Sequence, residues 1–363
     1  MPTQGLALTF DTRYVTAVVD AWRAQGLAPI TLAELERQTA ELLRQRFIAR
    51  TIMGMREEIV SLPAVTKALG VLTAVKLAKK ATRGSGEARV ALLTPTAQGF
   101  EVLREEPVGG VLYPRFAECV SAASGTIRTL LDLLTEHGPL NLPVLQLTPE
   151  APRRGAHYQI AVKDGLDAFR SQTTPVAPDL YVPYDLVRPN ATPAQRLKAA
   201  RSWALQAHPA GSLNQLDKAI TISLNLGLVW TDLAQVNEVI AAKSIGLAAT
   251  KGASGYRPHI LSWPADSTAF VKALMDAVSE RANGSGFATI QEVRGALGRQ
   301  LQLSPVAVDV LLREARDAGD RHEIPIELHF EPDEDQLYAQ QRDPLIWREE
   351  AFEFITVLRG SRV

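Results

Sequence analysis

Three times along this chain, helical periodicity gives way to two β-prone stretches around a cationic tip that carries glycine. The tips are Thr82-Arg83-Gly84-Ser85-Gly86, Pro152-Arg153-Arg154-Gly155 and Lys251-Gly252-Ala253-Ser254-Gly255. Apolar residues that recur first at helical and then at strand spacing, over such short distances, cannot build one large sheet or one long bundle. They predict several small units, each with its own helices and hairpin. The length of 363 residues agrees, because single cores stop growing at roughly 250–300 residues and about two to four units are expected. A second repetition points the same way. Gly99-Phe-Glu-Val-Leu-Arg104 and Gly165-Leu-Asp-Ala-Phe-Arg170 place glycine, apolar, acid, variable, apolar and arginine in one order, each after a β-rich stretch. The glycine permits the tight backbone where a strand ends and a helix begins, and the apolar pair docks that helix. The motif reads as the exit from a hairpin in a duplicated small domain.

The first unit, 1–110, is the most legible. Val15, Val18, Val19 and Trp22 form a helical stripe that ends at Gly26. A second helix starts at Thr31, which stands at capping-box spacing from Glu34. "LPAVTKAL" makes a short third helix with Pro63 in its first turn, where the missing N–H costs nothing. Two β-prone runs around the first tip follow, then "LTPTAQGFEVL". Three helices, a cation-tipped hairpin and an exit helix resemble a winged helix-turn-helix domain, most nearly those of the MarR and PadR classes of bacterial regulator. In those classes the second wing strand runs into a Leu-Thr-x-x-Gly segment. Here Leu93 and Thr94 are followed by Gly99, two residues late, so no single family is assigned. The resemblance covers about a quarter of the chain and implies a wing on phosphates and a helix offered to a DNA groove.

The remaining units are expected at lower resolution. Residues 115–173 read as a degenerate winged unit or a helix plus hairpin, with Ile127, Leu130, Leu131 and Leu134 on one helical face closed by Gly138-Pro139. The Pro-rich stretch 174–193 reads as an extended linker, since proline removes donors and fixes φ. Residues 194–263 read as a second winged-helix-like domain. Residues 266–363 read as a helical domain with C-terminal strands, also winged-helix-like. Thr289 and Glu292 form its second capping box, and Ser304-Pro305 starts its last helix. The run "EEAFEFITVLRG" fits either a strand or a short helix. The fold class expected is mainly α with short β-hairpins, an α+β chain of tandem winged-helix-like domains.

Reactive chemistry is not legible. The six histidines are scattered singly, with no pair at metal-ligand spacing, and no phosphate-cradling Gly-x-x-x-x-Gly-Lys-Ser/Thr segment occurs. The acids Glu331, Asp333, Glu334 and Asp335 read as a solvated loop. Nuclease carboxylates would need a nearby lysine, and residues 274–363 contain none. Cys119 is the only cysteine, which excludes an internal disulfide and a Cys-rich zinc site, and its surroundings make it a small packing residue. No catalytic residue, metal or cofactor is expected. No apolar run approaches the roughly 18 residues of a membrane span, and the N-terminus lacks a basic start followed by an apolar stretch, so the expected location is cytoplasmic.

Charge is more informative than its total of −1. Residues 44–89 hold ten Lys or Arg against three acids, whereas the last fifty residues are net acidic. Lys76, Lys79, Lys80, Arg83 and Arg89 lie on or beside the first hairpin, where cations reach phosphates. Lys67, on the short third helix, is placed for a groove edge. Arg153 with Arg154, and Lys251 with Arg257, are the corresponding sets on the other two tips. The expected function is non-enzymatic binding of double-stranded DNA, as a transcriptional regulator or DNA-transaction factor. The alternative is a scaffold or accessory subunit of a DNA-processing or defence complex, contacting a protein through its acidic C-terminal unit; a homodimer is also open to it. Fold alone does not choose between them.

Overall fold

A computed structural model describes residues 10–52, 59–83, 90–108, 113–141, 144–147, 157–161, 179–183, 212–236, 239–332, 345–348 and 350–359. Among them the chain is α+β, with helices alternating with antiparallel sheets of two or three strands.

The first unit opens with α1 (Thr12–Ala24), capped by the Asp11 carboxylate on the Arg13 N–H at 2.9 Å. Its buried side includes Val15, Val18, Val19 and Trp22, the stripe that the spacing predicts. The Trp22 indole donates to the Ala28 carbonyl at 2.8 Å, so a fully buried ring keeps its polar edge satisfied. After β1 (Ile30–Thr31), Thr31 accepts from the Glu34 N–H and starts α2 (Leu32–Ile52). Ser61 caps α3 (Leu62–Ala74), with Pro63 in the first turn. β2 (Ala78–Arg83) and β3 (Val90–Pro95) pair from Ala78↔Pro95 to Arg83↔Val90, and β1 joins the far side of β3 through Ile30↔Leu93. Thr96 then caps α4 (Ala97–Leu103). Gly99 serves close approach rather than a turn, since a Cβ on it would lie 1.7 Å from the Leu77 carbonyl oxygen. Gly165, its counterpart in the repeat, lies outside the described residues.

The next elements are α5 (Pro114–Ala123), α6 (Gly125–His137) and β4 (Leu140–Asn141). A small sheet, in the order of its strands β5 (Val144–Leu147), β6 (His157–Ala161) and β7 (Asp179–Pro183), comes before α7 (Ser212–Asn225), β8 (Val229–Val236) and β9 (Val239–Leu247). β4 pairs with β9 through Leu140↔Ile245 and Asn141↔Ser244, giving the order β4-β9-β8. The stretches expected as two units, 115–173 and 194–263, therefore share one sheet and one core. The reason is the apolar face of α6. Ile127, Leu130, Leu131 and Leu134 are all buried, and Ala219, Ile220 and Ile222 of α7 join them in one cluster. The expected linker 174–193 supplies β7, which ends at Pro183 on a sheet edge, where a residue without an N–H is tolerated. The hairpin of β10 (Ala249–Lys251) and β11 (Tyr256–Pro258) closes this unit.

The last unit runs α8 (Ser267–Arg281), β12 (Ala288–Thr289), α9 (Ile290–Leu301), α10 (Pro305–Asp320) and β13 (Ile326–Glu331). It ends with β14 (Leu345–Trp347), β15 (Glu350–Phe352) and β16 (Phe354–Arg359), so the ambiguous terminal run is strand. Its main sheet has the order β12-β16-β13.

Three sheets, β1-β3-β2, β4-β9-β8 and β12-β16-β13, thus share one connectivity, and a common turn leads into the outer strand of each. Leu77, Leu228 and Glu323 donate backbone N–H to Leu72, Ser223 and Ala318 at 2.9, 2.8 and 2.9 Å. The preceding residues, Lys76, Gly227 and His322, donate to Thr73, Leu224 and Gly319 and take positive φ of 62°, 74° and 58°. This is a Schellman closure of the helix before the outer strand, made three times. One core cluster runs from Tyr14 to Tyr256 and a second from Phe270 to Ile355. They meet at Trp230, 3% exposed, where α9 packs along β8. A Cβ on Gly246 would strike the indole, one on Gly298 of α9 would lie 3.3 Å from the Trp230 Cβ, and the Arg299 guanidinium sits 5.8 Å from the ring centroid.

Candidate nucleic-acid interface

Of the cations expected on the first hairpin, Lys76, Lys79 and Lys80 are exposed. Lys76 follows α3, and Lys79 and Lys80 lie on β2, where alternation turns them to opposite faces of the ribbon. No carboxylate is within ion-pair reach of these three among the described residues. Arg83 ends β2 opposite Val90, while Arg89, Arg153 and Arg154 lie outside the described residues. The contrast with the arginines is sharp. Arg13, Arg37, Arg44 and Arg46 are paired with Asp11, Glu34, Glu41 and Asp20 at 2.6 to 3.3 Å.

Lys76 carries a further signal. It occupies the left-handed position of its turn, at φ 62°, where a side chain costs roughly 1 kcal/mol over glycine. The middle unit uses Gly227 at the same place. What lysine adds there is an exposed ammonium beside the hairpin.

The outer side of α3 is less cationic than a groove-reading helix would suggest. Lys67 is exposed on it, next to Pro63 and Thr66, with Gly70 and Thr73 half-buried further along. The Thr66 hydroxyl donates to the Glu36 carboxylate at 2.8 Å. At the start of the helix, Ile59 and Leu62 are 87% and 57% exposed.

The third tip is exposed from Lys251 to Ser254 but tied to α5 and α6 by its side chains. Arg257 grips the buried Glu118 carboxylate with two nitrogens, at 2.9 and 2.6 Å, and the Ser254 hydroxyl and N–H complete the shell at 2.9 and 3.3 Å. Burial pushes the Glu118 carboxyl up, but the hydrogen bonds from Arg257 and Ser254 outweigh it, and its pKa falls below the usual value. Lys251 reaches Asp132 at 3.5 Å and lies over the Tyr256 ring. The Tyr256 hydroxyl donates to Asp132 at 2.6 Å, while its N–H donates to Ser121 Oγ at 2.7 Å. Lys251 and Arg257, expected as DNA contacts, are thus engaged with carboxylates of the chain itself while remaining exposed, Arg257 because Glu118 on α5 needs a cation once buried.

The β8–β9 ladder runs to Val236↔Val239. In the last unit the β14–β15 hairpin folds back over α10. Arg348 stacks on Trp347 at 4.1 Å and reaches Asp317 at 3.0 Å, and Arg316 lies over both Trp347 and Phe330. Arg294 is buried against Asp309 at 2.7 Å.

Two polar clusters were not foreseen. Glu118 had a signal, since an acid among Phe116, Ala117 and Val120 on a buried helical face announces a partner. The second joins units: the Tyr113 hydroxyl donates to Asp20, which also receives Arg46 at 2.6 Å, with Arg23 at 3.4 Å from the same hydroxyl. No spacing relates residues so far apart in sequence. Cys119 is half-buried, and burial pushes its thiol pKa up, consistent with a packing residue. Among the described residues no group of His, Cys, Asp and Glu could hold a metal, and no helix is long and apolar enough to cross a membrane. No family model, curated protein or solved structure matches the chain.

Proposed function

We propose that the chain is a non-enzymatic double-stranded DNA-binding protein built of winged-helix-like units, and that the first unit makes the contact. The observation that carries this reading is the set of exposed lysines at 76, 79 and 80, without carboxylate partners among the described residues, on the hairpin and turn beside α3. Unneutralised cations on a protruding ribbon are what phosphate contact requires. The thrice-used connectivity supports winged-helix-like units, in which the turn at Lys76, Gly227 and His322 joins the third helix to the wing. The second and third units then act as a platform, since the cations described on the β10–β11 and β14–β15 hairpins are paired with carboxylates of the chain itself.

The test is salt dependence. Three phosphate contacts give a slope of log K against log salt of about −2.7, or a roughly fortyfold loss between 50 and 200 mM. Changing Lys76, Lys79 and Lys80 together to Glu is expected to remove binding of random duplex while circular dichroism stays unchanged. A folded triple variant with the wild-type slope would favour the second reading, a protein scaffold. That alternative draws on the last unit, where Asp309, Asp317 and Asp320 line α10 and the hairpin closes over it.

A further inference from the structure

We propose that the first unit recognises duplex DNA by how readily it deforms rather than by its sequence, with Ile59 and Leu62 entering an opened base step while Lys76, Lys79 and Lys80 hold phosphates. This rests on the DNA-binding reading above and adds what that surface selects. Ile59 and Leu62 are the two most exposed large apolar side chains among the described residues. They flank Ser61, whose side chain caps α3 and whose N–H is held by the Tyr14 hydroxyl at 3.0 Å, with Tyr14 in the first core. Two exposed aliphatic side chains at the start of α3 therefore stand on the same unit as three ammonium groups that have no carboxylate partner among the described residues. Lysines favour a polyanion over an apolar protein surface, and aliphatic wedges at the opposite end of α3, about 20 Å along the helix, fit between unstacked bases of the same duplex.

The composition of α3 argues against sequence reading. Base edges are distinguished best by Arg, Lys, Asn or Gln, and "LPAVTKALGVLTA" offers one of them, Lys67. Lys67 is its single cation, and Thr66 is engaged with Glu36, whose carboxylate beside the helix disfavours a deep approach of phosphates along its length. The end of the helix, where the apolar pair stands, is left as the part that meets the bases.

Competition binding separates the outcomes, using a random-sequence duplex of about 30 base pairs and the same duplex with a central two-base mismatch. An opened step spares part of the unstacking cost, so the mismatched duplex should bind about tenfold more tightly. In the Ile59→Ser/Leu62→Ser variant that preference should fall to within about twofold, with affinity for the paired duplex and its salt slope retained. Equal binding of both duplexes by the wild type would overturn the proposal while leaving the DNA-binding reading intact. A double variant that keeps the preference would mark the apolar pair as a contact for something else, such as a protein, and also overturn it. If neither duplex is bound even at low salt, both readings fall.

Discussion

Tyr113 stands at the start of α5 in the left-handed region, at φ 40°, with its ring fully buried and its hydroxyl on Asp20 of α1. Burial first, and the Asp20 carboxylate second, push its pKa up to about 12 from 10. The neutral phenol is thus favoured by folding. Its contribution is complete below pH 10 and is lost as pH rises towards 12. Tyr113→Phe should lower stability at pH 8 by about 2 kcal/mol, the worth of a hydrogen bond to a charged group. Urea midpoints of wild type and variant should converge between pH 10 and 12; a constant gap would place the alkaline transition elsewhere. Glu118 has the opposite sense. Its lowered pKa makes the Arg257 contact a source of stability above the ordinary value of 4.5 that is lost as pH falls through the folded value.

At the scale of elements, the β10–β11 hairpin shows how glycine can be demanded by a neighbour rather than by a dihedral angle. A Cβ on Gly255 would lie 2.5 Å from the Glu118 carbonyl oxygen and 2.5 Å from Ser121 Oγ. Gly255→Ala should therefore cost about 2–3 kcal/mol by pushing the hairpin off α5. Gly70→Ala, in the middle of α3 with nothing within 4 Å of the new methyl, should be neutral or stabilise by up to about 1 kcal/mol. Thermal unfolding of the two variants distinguishes these outcomes, and equal shifts would mean that the hairpin is not tightly docked. Much at this scale was legible. Thr31 with Glu34, Thr289 with Glu292, and Ser304 with Pro305 mark helix starts because capping is local chemistry. The use of Lys251 and Arg257 was not, since a glycine-tipped hairpin reads the same in sequence whether it meets solvent or a buried acid. Lys76, Lys79 and Lys80 stayed exposed as expected, yet nothing in the spacing of Lys76 betrays its left-handed backbone.

For the whole molecule, the hardest feature to read was the pairing of β4 with β9, because no local period reports a strand partner a hundred residues away. The two core clusters divide the chain elsewhere than the expected boundaries do. A fragment 261–363 contains the whole second cluster and should unfold cooperatively by itself. A fragment 1–110 lacks Tyr113, Phe116 and Val120 of the first cluster and should melt below fragment 1–259; calorimetry of the three checks this, and a full-strength transition in 1–110 would contradict a shared core. The same interruption bears on how the chain is made. The face of α6, with Ile127, Leu130, Leu131 and Leu134, has its covering helix α7 and closing strand β9 only after residue 247 has been added. At ribosomal rates that interval is roughly five to twenty seconds. Throughout it, a nascent chain carries α6 with only α5 and the first unit made to pack against it and its cover from α7 and β9 still to come, which leaves a sticky side for a chaperone to meet.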